Sequence, residues 1–381
     1  MESSIKRGLY IPNIAKTISQ YGLRLSVIGF FIFLFIPIFI PDFAIRWPLL
    51  GLMQNFQLYF LLIILIMTNL GFIWVKSVEI GIYASISGFL LLGVTLPYVV
   101  KGDLLENKGM KADALKPSMV ISQSGMTDNP DATLIPNPSL RILTFNLYPF
   151  NERLDEALDW ILEQDADLIL LQEVPLAMQK EVLSQLNPIY PNSEAQELYL
   201  SLGKVAITEA TSLFDESAYG QRLVIEWQGQ AIVVYNLHLP FPNEADNPNL
   251  SQDNPMLALI PGFILGYKEN ERNRVIREII HKADLEHLPV IMGGDFNMND
   301  SSATYQELAK GLVDAFYHSG NGFGFTWPFG ASEELPDVLP PLLRLDYIWV
   351  KGGLIPILSQ VGPALGSDHA PLMADFRWAN E

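Results

Sequence analysis

Two short stretches concentrate side chains able to do chemistry. Gly293-Gly-Asp-Phe-Asn-Met-Asn-Asp300 places Asp295 and Asn297 two residues apart behind paired glycines. If that segment stays extended, i and i+2 project to one face, so a carboxylate and a carboxamide can engage one small ligand. Gly366-Ser-Asp-His-Ala-Pro371 sets Asp368 beside His369 ahead of a proline that stiffens the turn. Asn146, Glu173, His238 and Asp346 each stand at or just beyond an apolar run. Singly, such residues are turn formers, helix caps or surface groups. Together they supply two imidazoles, four carboxylates and two carboxamides. Oxygen-rich donors without a thiolate suit Mg²⁺, Mn²⁺ or Ca²⁺, and histidine beside them points to phosphoryl chemistry. The chain has no cysteine, which excludes disulfides, thiolate zinc sites and cysteine nucleophiles. No G-x-S-x-G, H-E-x-x-H, Walker A or G-x-G-x-x-G motif occurs either.

The runs that end in these residues read as an α/β domain. Leu140 to Asn146 alternates as a strand; Asn151 is placed to cap a helix with Leu154, Leu158, Ile161 and Leu162 on one face. Asp167 to Glu173 is a buried strand, and Arg222–Trp227 with Ala231–Leu237 is a hairpin around Gln228-Gly229-Gln230. Glu269–Ala283 has helical composition, and Pro289–Gly293, Arg344–Val350 and Leu372–Phe376 are further strands. Loops at strand ends on a rigid sheet are where such folds gather binding and catalytic groups.

Ahead of this domain lies a different object. Residues 1–120 hold 10 Lys+Arg against 6 Asp+Glu, a balance of +4, which leaves 14 against 36, or -22, for the rest of the -18 chain. Three apolar stretches, at about 25–41, 55–75 and 79–100, the first two uncharged and the last uncharged from Ile80 to Val100, approach or exceed the roughly 18–20 residues that cross a bilayer core. They are expected to be three transmembrane helices. Lys6, Arg7, Lys16 and Arg24 precede them, so the positive-inside rule puts the N-terminus in the cytoplasm and the remainder outside it. Without charges inside the spans, a transporter or channel is disfavoured. Residues 101–138, rich in Gly, Pro, Ser and Lys, read as a flexible linker.

Seven ordered motifs carry a resemblance over about residues 139–378. They are Thr144-Phe-Asn146, Leu171-Gln-Glu173-Val, Asn236-Leu-His238-Leu, Gly294-Asp295-Phe-Asn297, Phe325-Thr326-Trp327-Pro328, Arg344-Leu-Asp346-Tyr and Ser367-Asp368-His369-Ala-Pro. The set resembles the endonuclease/exonuclease/phosphatase superfamily, the DNase I-like fold. The resemblance implies, for residues 139–381, a four-layered sandwich of two mixed β-sheets flanked by helices, and Mg²⁺-dependent (or Mn²⁺-dependent) cleavage of phosphoesters. It also implies roles. Glu173 is the principal metal ligand with Asn146 beside it, and Asp368 belongs to the outer shell or a second metal. Asp295 positions or deprotonates water, and Asn297 binds a phosphoryl oxygen. His369, fixed by Asp346, contacts the scissile phosphate; His238 protonates the leaving oxygen. Where some nucleases of the superfamily carry a further acid this chain has Tyr148, which departs from an AP-endonuclease pattern.

The expectation is therefore a membrane-anchored, extracytoplasmic phosphoesterase acting on a small or lipid-linked phosphoester, with no obligate protein partner. An extracytoplasmic nuclease is the alternative, disfavoured by the acidic domain because nucleic-acid affinity rests on Lys and Arg. A non-catalytic binding module of the same fold is a third reading. The Pro- and Asn-rich stretch 241–267 reads as a lid, a membrane-facing loop or a plain insertion.

Overall fold

The computed structural model describes residues 56–75, scattered positions from 85 to 96, and residues 139–214, 219–242, 268–330 and 340–379. The chain divides into two compact units, the first holding helix α1 (Gln57–Val75) and the second the α/β domain. α1 coincides with the second expected span. The first span, the linker and the 243–267 stretch lie outside the described residues, as does most of the third span. Among the described residues no helix is long and apolar enough to cross a membrane, so the three-span anchor has no support from the structure.

The α/β domain contains two six-stranded sheets. In one the order is β11 (Leu354–Val361), β12 (Leu372–Trp378), β1 (Leu140–Asn146), β2 (Leu168–Gln172), β4 (Tyr199–Gly203) and β3 (Asn192–Gln196). In the other it is β5 (Ala206–Ser212), β6 (Gly220–Trp227), β7 (Gln230–His238), β8 (Val290–Asp295), β10 (Asp346–Lys351) and β9 (Val313–Asp314). Both are mixed. β1 runs parallel to β2 and β7 to β8, whereas the other pairs are antiparallel. Parallel neighbours need a crossover, which here contains α2 (Leu154–Glu163) and α4 (Asn270–Leu285) respectively.

Strand periodicity builds the layers. Along β1, Leu140 and Ile142 join Leu168, Leu170, Ile232, Val234, Ile291 and Ile348 in the core shared by both sheets. The alternate residues Leu143 and Phe145 pack instead with α2 and with α3 (Leu176–Leu186). Val233, Tyr235, Met292 and Trp349 likewise face Val275, Ile276 and Ile279 of α4. Each central strand is buried on both faces, which is why these segments read as continuous apolar runs. Two short helices, α5 (Ala303–Leu308) and α6 (Ala315–Ser319), complete the described domain.

Asn151 does not cap α2 as expected. The helix starts at Leu154 after Arg153, with no side-chain cap bond. Asn151 closes a local turn, accepting from the Arg153 amide (2.8 Å) and donating to the Leu147 and Leu365 carbonyls. An Asn held by its own neighbours in this way satisfies the backbone without a helix.

Candidate active site

At one edge the inter-sheet core turns polar in steps of two residues. Ile142 is followed on its face by Thr144 and then Asn146, Val234 by Asn236 and then His238, and Ile291 by Gly293 and then Asp295. The first polar layer is closed on itself: Gln172 Nε2 donates to Asn236 Oδ1 (2.6 Å) and Thr144 Oγ1 (3.0 Å), and Asn236 Nδ2 donates to Ser201 Oγ (3.1 Å). The second layer is the site. Strand register sets His238, Asp295 and Asp346 in one row across β7, β8 and β10.

The paired glycines serve two close approaches, Gly294 that of β8 to β7 and Gly293 that of β8 to the facing sheet. Gly294 has φ +149°, and a Cβ there would stand 1.9 Å from the Leu237 carbonyl oxygen. A Cβ on Gly293 would meet Leu170 Cδ1 at 2.7 Å. Three non-glycine residues around the site adopt positive φ: Tyr148 (60°), Glu173 (56°) and Asn297 (47°). Such conformations cost on the order of 1–3 kcal/mol each and gather at functional sites.

Asn146 Nδ2 donates to Glu173 Oε1 at 2.9 Å and to Asp295 Oδ2 at 3.3 Å. His238 Nε2 is 3.3 Å from Glu173 Oε1 and 3.7 Å from Asp295 Oδ2. On the far side, His369 Nε2 is 3.5 Å from Asp295 Oδ2 and its Nδ1 is 2.8 Å from Asp346 Oδ2. Asp295 is thus common to two clusters, one with Glu173 and His238 and one with Asp346 and His369. Asn297 holds both Asp295 oxygens, its amide N–H on Oδ1 (2.8 Å) and Nδ2 on Oδ2 (3.3 Å); Nδ2 also reaches the Leu239 carbonyl. That commits the Asn297 amide protons to the protein. Asp368 stands outside both clusters, its Oδ2 taking the Trp327 indole N–H at 3.3 Å.

Several positioning groups carry no role in the sequence reading, although Ser367 and Thr326 lie within its motifs. Ser367 Oγ donates to the Asn146 carbonyl (2.7 Å) and accepts from the His369 amide (3.0 Å), tying β1 to the Ser-Asp-His turn. Thr326 Oγ1 accepts from the amides of Leu345 and Asp346. Buried Arg272, on α4, donates to the Asn297 carbonyl. Hydroxyls and an arginine acting on backbone groups leave no periodic or spacing signal.

The electrostatics separate the titratable groups. Burial pushes the Asp295 carboxyl up to about 6, opposed by His369 and aided by Asp346. Burial also raises Glu173, against the Asn146 hydrogen bond. For His369 burial opposes the charge, yet Asp346 and Asp295 win and hold its pKa well above the ordinary value. His238 moves the other way, lowered by burial. Pairs whose environments push their pKa values apart mark acid and base assignments.

The donor set fits a hard divalent cation. Buried carboxylates kept reluctant to ionise are an electrostatic demand that a cation meets, and Asp346 Oδ1 is buried without a hydrogen-bond partner. Glu173, Asn146 and Asp295 offer the oxygens.

A model of the endonuclease/exonuclease/phosphatase family matches residues 143–369, more than half of the chain and all of the site. The chain belongs to the endonuclease/exonuclease/phosphatase family. Members of this family generally hydrolyse phosphoester bonds and typically use a divalent metal. No curated protein matches. Among solved structures, the family protein from Bacteroides vulgatus is 16% identical, with 64% of this chain and 100% of that one covered at a TM-score of 0.48. A humanized D. rerio TDP2 is 17% identical over 63% and 99% at 0.46. The family protein from Leptotrichia buccalis is 20% identical over 63% and 100% at 0.44.

Proposed function

We propose that this family domain is a metal-dependent phosphoesterase whose general base is Asp295. The observation that carries this is the position of Asp295, shared by both carboxylate–histidine clusters, with a pKa of about 6 that suits proton transfer near neutral pH. Asp295 takes a proton from the attacking water as the new P–O bond forms. His238 Nε2, 3.7 Å away and neutral, can accept that proton and return it to the leaving oxygen as its bond to phosphorus breaks. His369, kept protonated and oriented by Asp346, presents its Nε2–H to the charge that builds on the phosphoryl oxygens. Asn297 holds Asp295 in place. Glu173 and Asn146, with Asp368 as a more distant acid, would hold Mg²⁺ or Mn²⁺, which when bound supplies Lewis-acid stabilisation of that same charge.

The substrate in this reading is a small or lipid-linked phosphoester. The apolar stretches 25–41, 55–75 and 79–100 would anchor the protein in a bilayer with the N-terminus cytoplasmic and the domain outside. The balance of -22 beyond residue 120 favours this over nucleic acid. Chelation with EDTA is expected to abolish hydrolysis and Mg²⁺ to restore it; Glu173→Gln should raise the Mg²⁺ concentration needed by about tenfold or more. Turnover unaffected by chelation would refute the metal-dependent reading.

A further inference from the structure

The candidate site is divided between the two sheets. Asn146 ends β1 and Glu173 follows β2 in one sheet, whereas His238 and Asp295 end β7 and β8 in the other. Two contacts span the gap: His238 Nε2 stands 3.3 Å from Glu173 Oε1, and Asn146 Nδ2 stands 3.3 Å from Asp295 Oδ2. The spacing of the donors around a cation therefore depends on how one sheet sits on the other. Deeper in the core the sheets meet through apolar residues such as Leu170, Ile232, Val234 and Ile291, and apolar attraction has no direction. Immediately behind the site the contact changes character. Thr144 of β1, Gln172 of β2 and Ser201 of β4 face Gln221 of β6 and Asn236 of β7, and all five are buried. Gln172 Nε2 donates across the gap to Asn236 Oδ1 (2.6 Å), and Asn236 Nδ2 donates back to Ser201 Oγ (3.1 Å) and the Leu171 carbonyl (3.2 Å). Ser201 Oγ donates in turn to Gln221 Oε1 (2.7 Å). The bond from Gln172 to Thr144 (3.0 Å), by contrast, stays within one sheet.

We infer that Gln172 and Asn236 are positioning residues, which key one sheet to the other and so set the spacing of Glu173 and His238. The inference rests on the metal-dependent reading of the site and adds to it residues that act from behind. Gln172 immediately precedes Glu173, whose φ of 56° turns its carboxylate off the strand, and Asn236 lies two residues before His238 on the same face of β7. Stability does not demand such a network, because apolar replacement of both partners of a buried bond is nearly neutral. Directional bonds do fix one side chain against another, and a satisfied buried network is stiff.

The test is a calorimetric titration with Mn²⁺ of wild type, Gln172→Met, Asn236→Leu and the double variant. Each single substitution is expected to weaken Mn²⁺ binding by about tenfold or more. The rate with bis(4-nitrophenyl) phosphate should show a lowered kcat and a KM little changed. The double variant removes both ends of the 2.6 Å bond, so its unfolding midpoint should exceed that of Asn236→Leu while its Mn²⁺ affinity stays low. Thr144→Val, which spares the bond between the sheets, should leave Mn²⁺ affinity nearly unchanged. A crystal structure of the double variant should show the Glu173–His238 separation widened from 3.3 Å by about 1 Å. Near-wild-type Mn²⁺ affinity in the single variants, or affinity that returns together with the midpoint in the double variant, would reduce the network to a stability element and overturn the inference. Gln172→Met nearly conserves side-chain volume, so it decides the matter alone if Asn236→Leu does not fold. A wild type that bound no Mn²⁺ would instead refute the metal-dependent reading. The separation would then decide, and an unchanged one would overturn the inference.

Discussion

Asp346 Oδ2 lies 2.8 Å from His369 Nδ1, and both residues are almost fully buried. The contact fixes which imidazole nitrogen faces Asp295 and supplies the largest favourable charge on a histidine that burial alone would keep neutral. Asp346→Asn keeps the shape and removes that charge. Its expected effect is a fall in kcat of about 10²-fold or more, with the His369 imidazole titrating at lower pH by NMR in the metal-free protein. An unchanged imidazole titration would show that Asp346 does not hold the proton.

Arg272 reaches the site through the Asn297 carbonyl. Arg272→Met should therefore lower kcat about tenfold or more with KM little changed, since misplacing a base costs rate rather than ground-state binding. Arg272→Lys, which retains a donor, should recover part of the loss. Equal losses in both variants, tracking their unfolding midpoints, would reduce Arg272 to a stability element.

The site was legible in the sequence where polar residues interrupted apolar runs. Asn146, Glu173, His238 and Asp295 announced themselves by ending buried runs and Asp346 by bordering one, and the structure gathers them at the same end of the two sheets. The same runs read as an α/β domain, while the two-sheet layering came from the resemblance carried by the ordered motifs. Elements lacking such contrast went unread. β3 reads NSEAQ and β5 AITEATS, mostly half-buried or exposed, and both are edge strands held by pairing rather than by an apolar pattern. Asn151 misled because turn and cap use the same side-chain chemistry.

Two glycines with positive φ should respond very differently to a methyl group. Gly294→Ala would drive its Cβ into the Leu237 carbonyl and part β7 from β8, so loss of the folded state, or at least about 3 kcal/mol, is expected. Gly229 has φ +73° and open space for 4 Å around the point a Cβ would occupy, so Gly229→Ala should cost only about 1 kcal/mol. Urea unfolding of the two variants distinguishes a packing requirement from backbone strain alone.

Stability should fall in acid partly through Glu286. Arg222, bonded to it at 2.8 and 3.1 Å, depresses its pKa below the usual 4.5, partly offset by burial. A depressed carboxylate pKa contributes stability that is full above the unfolded value and is lost as pH falls through the folded one. Wild-type protein should therefore lose more stability than Glu286→Gln below pH 4.5. Parallel urea midpoints for the two proteins across that window would contradict the assignment.

The shared position of Asp295 is tested most directly by the initial rate of bis(4-nitrophenyl) phosphate hydrolysis as Mg²⁺ is titrated, for wild type and Asp295→Asn. The predicted result is saturable, metal-dependent turnover in the wild type and a loss of about 10³-fold in the variant at every Mg²⁺ concentration, with its unfolding midpoint retained. A variant within threefold of wild type at saturating Mg²⁺ would contradict the account.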